Sequence, residues 1–125
     1  MCPQNWSLVY GSCYQIFSMS TNQSVARAHC LSHGRRLAVL ASSEEMTAVQ
    51  AFFQAELSLE YTWLDGSDAQ EEGVWRTSDG EVMTFLGWTV GDPNGGTGET
   101  CRVIIDLNVH DITCNYCCGG FLCAM

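Results

Sequence analysis

A glycine-rich stretch between Trp88 and Cys114 concentrates side chains that are suited to hold a cation. These side chains are Asp92, Asn94, Glu99 and Asp111, with the imidazole of His110 beside the last of them. Carboxylate and amide oxygens carried on such a loop are typical ligands of hard cations such as Ca²⁺. Cys101 closes the loop and Cys114 ends the stretch, so disulfides can fix its position. The combination favours an extracellular binding site over a catalytic one.

Composition bounds the class of protein. The chain has 125 residues, 46% of them hydrophobic, which suits one domain over residues 1–125. Acidic residues number 14 against 5 basic ones, for a formal charge of −9. This balance argues against nucleic acid as a partner, because phosphates require a basic surface. The acidic balance suits cation binding. No apolar run is long enough for membrane insertion.

The cysteine count indicates the compartment. Eight cysteines in a short chain predict a disulfide framework, which is typical of secreted proteins. Asn-x-Ser sequons at Asn5 and Asn22 are compatible with a secretory route. Met1 directly precedes Cys2, so we interpret it as a start codon placed on a mature sequence. We therefore expect a secreted, extracellular protein.

Two helices are predicted in the first half of the chain. Residues 24–33 have a helical pattern that ends at Gly34, a natural C-terminal cap. Ser42 and Glu45 have capping-box spacing at the start of a second helix. The apolar side of that helix consists of Met46, Val49, Phe53 and Leu57. We interpret this stripe as core packing.

Strand patterns surround and follow these helices. A hairpin is predicted at 6–17, around a Gly-Ser turn. Further strand patterns lie at 37–40, 61–64, 73–77, 82–86, 103–105 and 119–123. Because the helices come early and most strands come late, the order predicts an α+β fold.

The three histidines form no catalytic arrangement in the sequence. His29 and His33 are four residues apart on a predicted helix, but no acid or nucleophile stands at a catalytic spacing beside them. His110 lies near acids and lacks a nucleophile. We therefore expect a binding protein and not an enzyme.

Many landmarks, taken in order, resemble the C-type lectin-like domain nearly from end to end. They are Cys2-Pro3, Trp6, Gly11-Ser12-Cys13-Tyr14, Ala26, Cys30, Trp63-Leu64-Asp65-Gly66, Glu72-Gly73-Val74-Trp75, Trp88, Pro93-Asn94, Cys101, Cys114 and Cys123. The resemblance implies two helices, antiparallel sheets and a long ligand-binding loop. It also implies the disulfides Cys2–Cys13, Cys30–Cys123 and Cys101–Cys114. Gln23 departs from the family, which usually has tryptophan there.

Cys117 and Cys118 have no place in the framework that the resemblance implies. Three arrangements are open for them: an altered pairing that includes Cys114, a bond between the two adjacent residues, or cross-links to a second chain. We favour the inter-chain bond, because linking several weak sugar sites raises avidity without new contacts. We therefore expect a homo-oligomer that is held by a disulfide.

The resemblance assigns the principal calcium site. In sugar-binding members, an acidic or amide residue, Pro and Asn form a loop that binds Ca²⁺ with a downstream acid and an Asn-Asp pair. The matching positions are Asp92-Pro93-Asn94, Glu99 and His110-Asp111. Adjacent sugar hydroxyls would complete the coordination shell. An Asn after the Pro is associated with mannose, fucose and N-acetylglucosamine.

His110 separates three versions of this site. Imidazole nitrogen suits transition metals better than Ca²⁺. Either the remaining oxygens hold calcium more weakly, or His110 points away and contacts sugar, or the site is empty. A second calcium site would use Asp68 and Glu72, but its other positions fall on Gly95 and Thr100, which lack carboxylates. We expect the second site to be weak or absent.

Two functions follow from these residues. The leading interpretation is a secreted, Ca²⁺-dependent lectin of innate immunity or agglutination, with Asp92, Asn94, Glu99, His110 and Asp111 contacting the sugar and all but His110 contacting the metal. The second is a calcium-independent lectin, or a module that binds proteins or surfaces, with a degenerate metal site.

Overall fold

A computed structural model describes residues 2–58, 61–88 and 100–125. The strands are β1 (Ser7–Val9), β2 (Ser12–Thr21), β3 (Arg36–Leu37), β4 (Thr62–Ser67), β5 (Cys101–Ile105), β6 (Asn108–Ile112) and β7 (Gly119–Ala124). The helices are α1 (Gln23–Ser32), α2 (Ser43–Phe52) and α3 (Gln54–Leu57). The predicted α+β class is confirmed. None of the described helices is long and apolar enough to cross a membrane.

Helix α1 starts and stops where local chemistry requires. The Asn22 side chain accepts a hydrogen bond from the backbone N–H of Val25 at 2.9 Å, which caps the first turn. At the other end Gly34 has φ of 71°, a left-handed conformation that lets the chain leave the helix and enter β3. The predicted range of 24–33 is therefore correct to within one residue at each end.

The second predicted helix is divided in two. Ser42 Oγ accepts from the N–H of Glu45 at 3.1 Å, as the capping-box spacing predicts. The helix ends at Phe53, whose φ of −102° and ψ of 27° depart from helical values, and α3 begins at the next residue. The structure therefore has one short helix more than the two that the sequence predicts. Met46, Val49, Phe53 and Leu57 are nevertheless all buried in one cluster.

The strand order in the sheet is β1-β2-β7-β4-β5-β6, and β3 also pairs with β7. Most pairings are antiparallel, as the resemblance implies, and β4 pairs with β7 in parallel, so the sheet is mixed. The strands predicted at 73–77 and 82–86 form only isolated bridges, which join Arg76 to Ser67 and to Val82. Strand β6 is left at one edge of the sheet, and β1 at the other.

The sheet separates two apolar clusters. One packs α2 and α3 against Leu64, Ile104 and Leu122. The other surrounds Trp63, which is fully buried and donates its indole N–H to the carbonyl of Thr21 at 2.7 Å. Burial of a large aromatic ring with its polar atom satisfied stabilises the junction of β2 and β4.

Three buried polar residues hold β4 and β5 to their surroundings. Gln23 donates to the carbonyls of Leu64 and Gly66 at 2.8 and 3.1 Å, so it binds backbone where the family has an indole. Asp65 accepts from the backbone N–H and hydroxyl of Ser78 at 2.9 and 3.0 Å. The fully buried Arg102 donates to carbonyls on three separate segments, those of Val39, Asp65 and Leu86.

All eight cysteines lie in the described part of the chain, and all are paired. The bonds are Cys2–Cys13, Cys30–Cys123, Cys101–Cys114 and Cys117–Cys118. The first three match the pairings that the resemblance implies. The preferred inter-chain role of Cys117 and Cys118 was wrong, because the two sulfurs bond to each other and neither remains available for a second chain.

The Cys117–Cys118 bond is expected to be reduced first by a dilute dithiol. Both residues are exposed, whereas Cys30, Cys123 and Cys101 are buried. The bond also closes almost no loop, so its loss should cost less than about 1 kcal/mol of stability. Alkylation followed by peptide mass spectrometry should find label on these two residues while the circular dichroism spectrum is unchanged. Earlier labelling of Cys30 or Cys123 would contradict this order.

Candidate functional site

The β5–β6 hairpin places the two predicted site residues that the structure describes. A two-residue turn joins the strands, with Asp106 and Leu107 at φ of 49° and 72°. Positive φ at both positions is the geometry of a tight hairpin turn that matches strand twist. The turn sets the register in which Val103 lies opposite His110 and Arg102 lies opposite Asp111.

His110 and Asp111 therefore occupy opposite faces of an edge strand. Asp111 is 3% exposed and shares its face with Arg102, whereas His110 is half-buried and shares its face with Val103. The cross-strand register thus brings a buried arginine and a buried carboxyl group to the same face of the β5–β6 hairpin. A carboxylate on this strand is a suitable ligand for a hard cation.

Three predicted residues, Asp92, Asn94 and Glu99, lie outside the described residues, as does Pro93. The structure does describe the attachment points of their segment. Trp88 forms a parallel bridge with Val109 on β6 and packs edge-on against Trp75, with ring centroids 4.7 Å apart. At the other end, the N–H of Asp68 donates to the carbonyl of Thr100 at 3.2 Å. The segment that carries these residues is therefore attached at Trp88 to strand β6, and at Thr100 to Asp68, the residue that follows β4.

The structure describes Asp68, one of the two acids of the predicted second metal position. One carboxylate oxygen of Asp68 accepts from the N–H of Gly73 at 2.9 Å. The other oxygen is buried and has no hydrogen-bond partner among the described residues. Glu72 is exposed, and the described residues contain no group of three or more His, Cys, Asp or Glu side chains placed to hold a metal. That the second site is weak or absent remains a prediction.

Sequence reasoning missed the charged residues beneath the site. Burial lowers the pKa of Arg102 to about 10, and the charge of Asp65 opposes part of that shift. Arg102 therefore stays protonated at neutral pH, inside the sheet and next to Asp111. The available signal was an arginine within the apolar strand Cys101–Ile105, where a buried charge demands several partners.

His29 and His33 belong to aromatic packing on α1. The His29 ring contacts Phe17 and Phe121 edge-on, with centroids 4.9 and 5.3 Å away. His33 lies 4.9 Å from His29 by the same measure. These contacts place both histidines at the sheet edge formed by β1 and β2, away from His110 on β6.

Comparisons with known proteins identify the family. A model of the lectin C-type domain matches residues 19–125. The C-type lectin domain family 4 member M of Nomascus concolor is 31% identical over an alignment of 117 residues, which covers 91% of this chain and 29% of that protein. The chain thus spans less than a third of the length of this relative.

Two solved structures share the fold over nearly their whole length. One, described as an SPL-1–GlcNAc complex, has a TM-score of 0.84 at 26% identity, covering 99% of this chain and 94% of the other. The second is a Ca²⁺-dependent type II antifreeze protein in its Ca²⁺-free form, with a TM-score of 0.84 at 28% identity and 99% coverage of both chains. The matching family model describes a lectin domain, a class of carbohydrate-binding module. With this architecture, these disulfides and a family match over most of its length, the chain belongs to the C-type lectin domain family.

Proposed function

We propose that this domain is a secreted, Ca²⁺-dependent carbohydrate-binding module that recognises adjacent hydroxyls of mannose, fucose or N-acetylglucosamine. The observation that carries the proposal is the buried carboxylate of Asp111 on the edge strand β6, next to the attachment point of the glycine-rich segment at Trp88. The GlcNAc complex of a structural relative supports the sugar class. The disulfides support the extracellular location.

The donor set fits calcium. Asp111 would hold the ion from β6, and Asp92, Asn94 and Glu99 would complete a shell of three carboxylates and one amide. Bound Ca²⁺ supplies free coordination positions for two sugar hydroxyls. The protein's own part is to position Asp111 on β6 and to offer carboxylate and amide groups that hydrogen-bond the same hydroxyls.

Asp111→Asn is the substitution that tests this site. It is expected to weaken calcium affinity and calcium-dependent retention on mannose resin by about tenfold or more, because a charged ligand becomes neutral at nearly constant shape. Asp106→Asn is the matched control, since Asp106 is an exposed acid in the turn of the same hairpin. Calcium titration by calorimetry and elution with a chelator measure the two effects. If the unchanged domain stayed bound to mannose resin in the presence of chelator, sugar binding would not depend on the metal.

His110 distinguishes this function from its alternative. The relatives include a type II antifreeze protein described as calcium-independent, so the same fold also occurs without a calcium requirement. His110→Asn restores the amide oxygen of the family pattern and is expected to raise calcium affinity by about tenfold. An unchanged affinity would mean that His110 does not occupy a ligand position. Absence of any glycan ligand, with or without calcium, would favour a protein-binding or surface-binding module.

A further inference from the structure

Charge is strongly segregated along this acidic chain. Residues 1–43 contain three arginines and no acidic residue, whereas all 14 acidic residues follow, beginning with Glu44. The early segment supplies β1 and β2, which lie at the edge of the sheet opposite to β6, together with α1 and with β3, which pairs with β7. The end of the domain that contains the β1–β2 edge is therefore built from the part of the chain with a basic sequence.

This basic end contains a concave surface. The cavity has a volume of about 300 Å³ and is lined by Trp6, Gln15, Phe17, His33 and Arg35. Its lining has no carboxylate. We call this surface the Arg35 cavity.

Arg35 is held in place with hydrogen-bonding capacity to spare. Its guanidinium lies over the Trp6 ring, 5.2 Å from the ring centroid, and its Nη1 donates to the carbonyls of His33 and Gly34 at 3.3 and 3.4 Å. Its buried Nε has no partner in the described part of the chain. Arg27 and Arg76 each have a carboxylate within ion-pair distance, at 4.0 and 3.5 Å, but Arg35 has none among the described residues.

The remaining lining groups suit a sugar ring. Phe17 is fixed by stacking on Phe121 with centroids 5.1 Å apart, and Trp6 is fixed beneath Arg35. Aromatic rings that are half-exposed pack against the apolar side of a saccharide. The amide of Gln15 and the imidazole of His33 offer hydrogen bonds to hydroxyls. A guanidinium with unused N–H groups pairs with a carboxylate or a sulfate, which accept such bonds in a planar, charge-assisted geometry.

We propose that the Arg35 cavity is a second saccharide site, independent of calcium, which binds a sugar residue carrying one anionic group, either a carboxylate or a sulfate ester. Short ligands are preferred. Residues 44–125 carry 14 acids and two arginines, so their field repels a long polyanion that extends beyond the cavity.

The test uses the whole domain in chelator, so that the calcium site does not contribute. Binding of sialyllactose and of sulfated lactose is measured by ligand-observed NMR and calorimetry, with neutral lactose as the reference sugar. We expect at least one of the two acidic sugars to bind at least tenfold more tightly than lactose. Preference for one of them identifies which anion the cavity takes.

Arg35→Gln is expected to reduce this binding at least tenfold, and Arg35→Lys to restore it only partly, because lysine keeps the charge without the planar fork. Arg36→Gln is the matched control, since Arg36 is the adjacent, exposed arginine and lines a different surface, next to Asp79. The same loss in Arg36→Gln, full binding by Arg35→Gln, or equal affinity for lactose would overturn the proposal. The result is separable from the calcium site, because Asp111→Asn should not affect it.

Discussion

Replacement of both Cys30 and Cys123 by alanine is expected to lower the free energy of unfolding by about 4 to 5 kcal/mol. The bond joins residues 93 positions apart, so its absence gives the unfolded chain far more conformational freedom. Both residues are also buried in the cluster around Trp63, and their removal leaves a cavity between α1 and β7. A loss of this size is a large share of the stability of a small domain.

Urea denaturation followed by tryptophan fluorescence measures this loss. The matched control replaces Cys2 and Cys13, which are 11 positions apart and only partly buried, and should cost about 3 kcal/mol or less. Equal losses in the two double variants would show that loop length does not govern the stability of this domain.

Arg102→Met is expected to cost about 3 to 5 kcal/mol, the second large effect. Methionine fills a similar volume but donates no hydrogen bonds, so three carbonyls, those of Val39, Asp65 and Leu86, lose a charged donor, and the carbonyl of Asp65 loses it in a buried position. Asp65 keeps its hydrogen bonds from Gly66 and Ser78, so the cost comes from these carbonyls more than from the carboxylate.

Arg76→Met is the matched control for Arg102→Met. Arg76 is partly exposed and pairs with the exposed Glu71 at 3.5 Å, a contact whose loss should cost less than about 1 kcal/mol. The loss in free energy of unfolding, measured by thermal and urea denaturation, should therefore be several-fold larger for Arg102→Met than for Arg76→Met. If Arg102→Met were as stable as the unchanged domain, apolar packing alone would hold β5 in the sheet.

Local signals predicted the helix starts well and the sheet only in part. The Asn22 and Ser42 side chains cap their helices by accepting hydrogen bonds from residues three positions away. Interactions over so short a distance can be predicted from the sequence. The parallel pairing of β4 with β7 joins residues more than fifty positions apart, and no local pattern specifies its direction. The break at Phe53 was hidden because the apolar stripe continues through it into α3.

The calcium site stays a prediction, and it depends on residue type alone. Carboxylates and an amide in a glycine-rich loop indicate a hard cation whatever the surrounding fold. The buried Arg102 could be noticed in the sequence, but its acceptors could not, because Val39 is 63 positions away and Asp65 is 37. The fate of Cys117 and Cys118 likewise depended on where Cys101 and Cys114 meet.

Strand β7 has a consequence for the order in which the chain folds. Residues 119–124 pair with β2, β3 and β4, three strands that have no hydrogen-bonded pairing with one another. A nascent chain that ends before Gly119 therefore lacks the common partner of these strands, and it also lacks Cys123 for Cys30. Such a chain can form α1 and the β1–β2 hairpin, but the β1–β2 and β4–β5–β6 groups of strands stay separate. These six residues are therefore what allows the sheet to close and what brings Cys30 its disulfide partner.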